Sequence, residues 1–286
     1  MAGESLPSSL PVEVATIQYL ARDELYSTEK PYKITLDLDL DGPVTNILLT
    51  AKEVEIRDAQ SAKDHFTLAI NGFQFFNWDT QMSPEDFCSP ELIKSKYFLE
   101  LNNHLAEFFP AHVEIHFIGH KRRTSTLLPE SHKEDGTDTA APVTYAHSDF
   151  TPDGGIIRLK EFLEANPHLQ GMQYELLNIW RVTRGPNNSW PLALCDYQSL
   201  SIPEDLEQVD VVHRDHVGES CVLYYNKNHK WYYLGNQEVQ DVMVFRNTNS
   251  NGESIPFAPH TSFNPTSTSH LAPSRESIEV RAVVFY

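Results

Sequence analysis

The chain has 286 residues, 40% hydrophobic and 11% aromatic, enough for one large core and too apolar for a disordered segment. A formal net charge of -18 argues against a basic face, so neither nucleic acid nor a membrane surface is an expected partner. Cys88, Cys195 and Cys221 lie far apart without a C-x-x-C pair, which speaks against a disulfide framework or a structural zinc site.

In chain order, residues 1–13 are rich in Ser and Pro and are expected to form a flexible arm. Residues 1–14 contain no basic and apolar leader, and no window approaches the roughly twenty apolar residues of a membrane span. A cytoplasmic location follows as the expectation. Ile34, Leu36, Leu38 and Leu40 alternate with polar residues, the period of a half-buried strand. Further short strands are predicted around Val54-Ile56 and Phe66–Ile70, with turn signals at Asp41-Gly42-Pro43 and Asn71-Gly72. Ser83-Pro84-Glu85-Asp86 reads as a helix start, and apolar residues at helical spacing from Leu92 to Phe109 predict one or two helices ending near Pro110.

The segment 111–120 carries His112, Glu114, His116 and His120 at spacings that share one face, a rival metal cluster. The plainer alternative is a strand with Val113, Ile115 and Phe117 inside and a polar outer face, and His120 and Arg122 could then border a pocket. Residues 124–142 are polar and Pro-flanked and are expected to form a mobile loop over a site. After a helix at 156–164, the remaining text reads as strands: 174–181, 191–196, 221–225, 230–234, 241–245 and 277–285. Many short strands with few helices predict a mainly β fold with flanking helices, a double-stranded β-helix or jelly roll, in a single domain over 1–286.

Tyr145-Ala146-His147-Ser148-Asp149 is the stretch that carries chemistry. In a strand, His147 and Asp149 project from one face, shared by Tyr145. Joined by His260 from a distant strand, they would make a 2-His-1-carboxylate set that holds Fe(II) and leaves positions open. With thirteen histidines in the chain, His-x-Asp alone also fits a chance surface turn. In the last strand, Arg275 and Ser277 share a face, as do Glu279 and Arg281. A guanidinium with a neighbouring hydroxyl suits a small dicarboxylate, while pairing of either arginine with an acid such as Glu279 explains it equally well. The aromatic groups Phe73–Trp78 and Trp231–Tyr233 read first as core and second as pocket wall.

The His147-Ser148-Asp149, His260 and Arg275-Glu276-Ser277 layout resembles the iron(II)/2-oxoglutarate-dependent oxygenases. More narrowly, Glu29-Lys30-Pro31-Tyr32, Asn71-Gly72-Phe73-Gln74, Asn178-Ile179-Trp180-Arg181, Trp190 to Asp196, His229 to Tyr233 and the terminal run are similar to fungal hydroxylase/desaturases of secondary metabolism. That group is related to a cephem methoxylase subunit and a gibberellin desaturase. The resemblance runs from about residue 14 to the end. It implies Fe(II) bound by His147, Asp149 and His260, 2-oxoglutarate held by Arg275 with Ser277, and O2 as co-reactant. Arg281 is a rival anchor, and Asn178 could hydrogen-bond the cosubstrate. Tyr145, His120, Arg122 and Trp231 are the candidate substrate contacts. The implied substrate is a hydrophobic natural product, hydroxylated or desaturated, and a homodimer is compatible with it. One departure is Phe150, where the group often has a charged or amide residue. The alternatives are a jelly-roll isomerase or lyase using the same triad without O2, and a non-catalytic partner subunit.

Overall fold

The computed structural model describes residues 9–36, 42–126, 139–252, 255–266 and 273–286. Fifteen strands are described in these residues. They are β1 (Val12–Leu20), β2 (Tyr32–Ile34), β3 (Leu49–Asp58), β4 (Phe73–Asn77), β5 (Glu114–Thr124), β6 (Thr139–Ala140), β7 (His147–Ser148) and β8 (Tyr174–Val182), followed by β9 (Leu192–Cys195), β10 (Leu206–Val212), β11 (Val217–Leu223), β12 (Trp231–Tyr233), β13 (Asp241–Asn249), β14 (His260–Ser262) and β15 (Glu276–Phe285). The helices are α1 (Leu68–Asn71), α2 (Pro90–Leu92), α3 (Phe98–Phe108) and α4 (Pro152–Ala165), with a π-helical turn at Ile93–Tyr97 joining α2 to α3.

Six strands form one sheet in the order β4-β13-β8-β15-β5-β6, and nine form the other, β1-β3-β12-β9-β14-β7-β11-β10-β2. The mainly β jelly-roll expectation is met. Leu177, Ile179, Val244, Ile278, Val280 and Val284 of the smaller sheet pack outward on Tyr97, Leu101 and Leu105 of the helices. Its inner face turns Phe73, Trp180, Val182 and Phe245 toward Leu192, Leu194 and Tyr232 of the larger sheet. With both faces covered, β8 and β13 are buried almost throughout, which is why their sequences read as near-continuous apolar runs.

On the outward face Arg181 is fully buried over the Tyr97 ring (5.2 Å to its centroid), and its guanidinium nitrogens have no hydrogen-bond partner among the described residues. The ring face is the contact that meets its charge there.

The larger sheet curls. The Ala146 N–H donates to the Gln18 carbonyl (2.8 Å), and Gln18 bridges Tyr145, so β1 returns to the strand that carries His147. Ile17, Tyr19, Ile56, Ala193, Trp231 and Phe263 fill this curl as a second core. Beside it, the buried His229 donates from Nε2 to Asp205 (3.0 Å) and stacks on Tyr19. Burial pushes its pKa down in spite of Asp205. The unfolded imidazole takes up its proton near pH 6.5, roughly, so below that pH the unfolded chain binds more protons and stability falls. Melting temperature is therefore expected to drop as pH falls below about 6.5, and less steeply in His229→Asn. Equal slopes in the two proteins would reject this account.

Several local expectations are corrected. Val12 and Glu13, expected in the arm, already pair with Arg57 and Ile56 in β1; residues 1–8 lie outside the described residues. The strand expected from Ile34 ends there as β2, and 37–41 lie outside the described residues. Residues 68–70, expected as strand, form one helical turn with Asn71 because the Asn71 side chain accepts from the Thr67 N–H and Gly72 (φ 80°) caps it in the left-handed region. A Cβ on Gly72 would lie 2.3 Å from the Phe257 backbone, so only glycine fits. Of the loop expected at 124–142, Thr139–Ala140 pairs as β6 with Arg122 and Arg123, and 127–138 lie outside the described residues.

Candidate metal centre

Three short stretches of backbone set the site. In β7, His147 lies opposite His260 of β14 and Val222 of β11. Its side chain therefore turns to the same interior face as that of His260, and the two rings sit 4.4 Å apart. The strand stops at Ser148, because Thr151 accepts from the Gly154 N–H and Pro152 opens α4. Asp149 falls in the bend between, its Oδ1 3.6 Å from His147 Nε2. One ligand atom from each of His147, Asp149 and His260 lies within 4.8 Å of the others, the one such group of three among the described residues.

Each imidazole is oriented from behind. His147 Nδ1 lies 2.9 Å from the Tyr145 carbonyl and His260 Nδ1 lies 3.3 Å from the Ala258 carbonyl. A carbonyl only accepts, so Nδ1 carries the proton in both rings and Nε2 offers its lone pair. Burial, reinforced by His147, pushes the pKa of His260 down to about 3, which keeps that ring neutral.

Asp149 uses its other oxygen differently. Oδ2 accepts from Asn178 Nδ2 (2.9 Å), Arg281 Nη2 (2.9 Å) and Arg281 Nε (3.2 Å). Asn178 in turn accepts from Asn247 (2.8 Å), and Arg281 donates to Glu279 (3.1 Å). Burial raises the Asp149 carboxyl, but the Arg281 guanidinium and the two histidines more than reverse this and hold it well below the usual carboxylate range. Burial and the Asp149 charge push Glu279 up.

Arg275 stands elsewhere on the same interior face. It is 1% exposed, and its Nη1 donates to the Trp190 carbonyl (2.6 Å) and Ser262 Oγ (2.8 Å), while Nε has no partner among the described residues. Its guanidinium lies over Trp180, 5.6 Å from the ring centroid, and forms no ion pair among the described residues. Burial and nearby Arg123 pull its pKa down to about 9, still protonated at neutral pH. The cavity that it lines is bordered by His147, Asp149, His260, Arg123, Trp180 and Glu279. A desolvated cation facing a cavity without a contacting acid is costly, and a bound carboxylate would remove that cost.

The structure brings together His147, Asp149 and His260, and places Arg275 on the same cavity. Tyr145 lies beside His147 (ring centroids 5.1 Å), its phenol pushed up to about 12 by burial and Asp149. Ser277 is buried on this face, and its Oγ makes a long contact of 3.5 Å to the Arg123 carbonyl. Arg281 and Asn178, offered as cosubstrate contacts, instead grip Asp149.

His120 and Arg122 are on the wrong face. Opposite Arg281 and Ala282, β5 contributes Gly119 and Phe117, so Ile118 is an extra residue that inverts the alternation. His120 consequently meets Phe98 and Arg122 donates to Cys88 Sγ (3.2 Å), both on the helix side, and Arg123 faces the cavity. The same bulge scatters the rival histidine cluster: His116 pairs with Glu114, as does His168, on the other side. Trp231 donates to Tyr19 (2.8 Å) inside the curled core and not toward the site, because its neighbour Tyr232 takes the inward position.

Arg123, Trp180 and Ser262 were missed as site residues. Ser262 alone had a readable signal, two residues after His260 on one strand face.

Residues 17–285 match the family model described as "Oxidoreductase/YMDC permease-like domain". No helix among the described residues is long and apolar enough to cross a membrane. The chain is 29% identical over 255 residues to the alpha-ketoglutarate-dependent dioxygenase tstK of Talaromyces stipitatus, covering 87% of this chain and 90% of that protein. It is 27% identical to the Fe(II)/2-oxoglutarate-dependent dioxygenase nvfI of Aspergillus novofumigatus, over 84% and 85% of the two chains. It is 26% identical to the hydroxylase/desaturase efuI of Hormonema carpetanum, over 85% and 86%. Among solved structures, a variant of the iron and alpha-ketoglutarate-dependent endoperoxidase NvfI superposes with a TM-score of 0.84 at 22% identity, over 99% of both chains.

Proposed function

The chain belongs to the Oxidoreductase/YMDC permease-like domain family, and we propose that within it the chain works as a non-haem Fe(II)/2-oxoglutarate-dependent dioxygenase on a hydrophobic secondary-metabolite scaffold. The observation that carries this reading is the convergence on one interior cavity of a His-Asp-His set and a buried arginine that forms no ion pair among the described residues. Two imidazoles and one carboxylate on one side of a common point are the donor set that suits Fe(II) with positions left open. Relatives named as Fe(II)/2-oxoglutarate-dependent dioxygenases, similar along most of their length, support it independently.

Fe(II) together with 2-oxoglutarate and O2 supplies the power to break an unactivated C–H bond, with succinate and CO2 as co-products. His147, Asp149 and His260 hold the metal. Arg275 receives the distal carboxylate of 2-oxoglutarate through its free guanidinium edge, with Ser277 on the same strand face as a further donor. Trp180 and Leu192 keep this end of the cavity dry, which strengthens the charge pairing there. Tyr145, next to His147, faces the substrate.

Anaerobic addition of Fe(II) and 2-oxoglutarate to the metal-free protein should give a weak visible charge-transfer band that needs both components. A protein that binds neither, or shows the same spectrum with Fe(II) alone, is not this enzyme.

A further inference from the structure

Among the described residues the N–H donors on Asp149 converge on one of its two oxygens, and the other faces His147 Nε2 at 3.6 Å. Oδ2 already accepts three N–H groups, one from Asn178 and two from Arg281, all within 3.2 Å. A carboxylate oxygen offers about two lone-pair directions, so three donors saturate it. Oδ1, on the histidine side, has none of these partners. A carboxylate able to swing could chelate a metal through both oxygens and fill one more coordination position.

From this we propose that Arg281 is a positioning residue that makes Asp149 a one-oxygen ligand and thereby sets how tightly the metal is retained. The inference rests on the metal-binding reading above and deepens it.

Arg281 has two opposing effects on a bound cation. Its two N–H groups pre-orient the carboxylate, which favours binding, and its positive charge repels the metal, which disfavours it. Glu279 accepts from the same Nη2 at 3.1 Å, so the guanidinium is shared between two carboxylates and its charge is largely compensated. Orientation is then the effect that remains. The guanidinium is itself held, with the Phe150 ring 5.7 Å away. This gives a use to the aromatic residue that follows the metal-binding aspartate: it offers a π face to the arginine where a charged residue would compete for it.

The arrangement also separates the two arginines of the terminal strand. Arg281 acts on the metal through Asp149, whereas Arg275 has no contact with any of the three ligands among its described hydrogen bonds.

The test is titration of the metal-free protein with Mn(II), following loss of the free-ion resonance. Arg281→Gln is expected to weaken Mn(II) binding by roughly 10- to 100-fold, the usual effect of removing a partner behind a metal ligand. Arg281→Lys keeps the charge but cannot make the two-point grip, and should fall between that variant and the wild type. It carries the test if Arg281→Gln does not fold. Circular dichroism and melting temperature of the metal-free variants accompany each titration. Folded variants that bind Mn(II) within twofold of wild type overturn the proposal, whatever their melting temperature. Failure of the wild-type chain itself to bind Mn(II) would instead overturn the dioxygenase reading.

Discussion

Replacing Asp149 with alanine is expected to abolish metal binding and turnover together while the metal-free chain stays folded. The carboxylate is the one anionic member of the His147/Asp149/His260 set, and no other acid lies among the three clustered ligands to take its place. The loss of affinity should exceed the ~100-fold seen when only a supporting partner is removed. Stability gives a readout independent of catalysis. A metal at a hundred times its dissociation constant adds about 2.7 kcal/mol to the folded state. That increment should raise the wild-type melting temperature and be absent in Asp149→Ala and in His147→Ala. The substitution leaves Arg281 without its first acid, but Glu279 still accepts from it and the side chain is 27% exposed, so unfolding is not the expected result. Retained metal stabilisation in Asp149→Ala would remove the ligand assignment.

Arg275→Gln should raise the 2-oxoglutarate requirement strongly while leaving metal binding in place. Truncating one partner of a buried, hydrogen-bonded charge pair costs roughly 2–5 kcal/mol, which corresponds to about 30-fold or more in affinity. The same change should cost the ligand-free protein little, a contrast that few other residues would show. Arg275 is a buried cation with no contacting carboxylate among the described residues, and glutamine keeps a donor for the Trp190 carbonyl or Ser262. We expect the ligand-free stability to change by no more than about 1 kcal/mol. Added 2-oxoglutarate should then stabilise the wild type and not the variant. If Arg281→Gln raises the 2-oxoglutarate requirement and Arg275→Gln does not, the anchor has been placed at the wrong end of β15.

The order of residues was enough to set the type of fold and the chemistry of its strand faces. Period-two patterns and short apolar runs are local signals, and the structure has strands at all six segments expected after residue 173. Arg275, Ser277, Glu279 and Arg281 at every second position dictated which side chains of the last strand would look inward together, whereas Asp149 joins His147 from the bend that follows β7. Even the partner strand of His147 could be guessed from an isolated His260.

What each inward residue touches came from the pairing of distant strands. Arg275 and Arg281 share a face, yet six residues of strand separate them by about 20 Å, so the strand opposite chooses which one meets Asp149. The Ile118 bulge is the other case: one unpaired residue, invisible in the pattern of 111–124, turned His120 and Arg122 toward the helices and brought Arg123 to the cavity. Trp231 turns into the second core inside the curl of the larger sheet, where Gln18 of β1 bridges Tyr145 just before β7. Alternation along a chain is set by the bonds between neighbouring residues. Pairing across strands is set by hydrogen bonds and packing between residues far apart, and a single inserted residue can reverse its outcome.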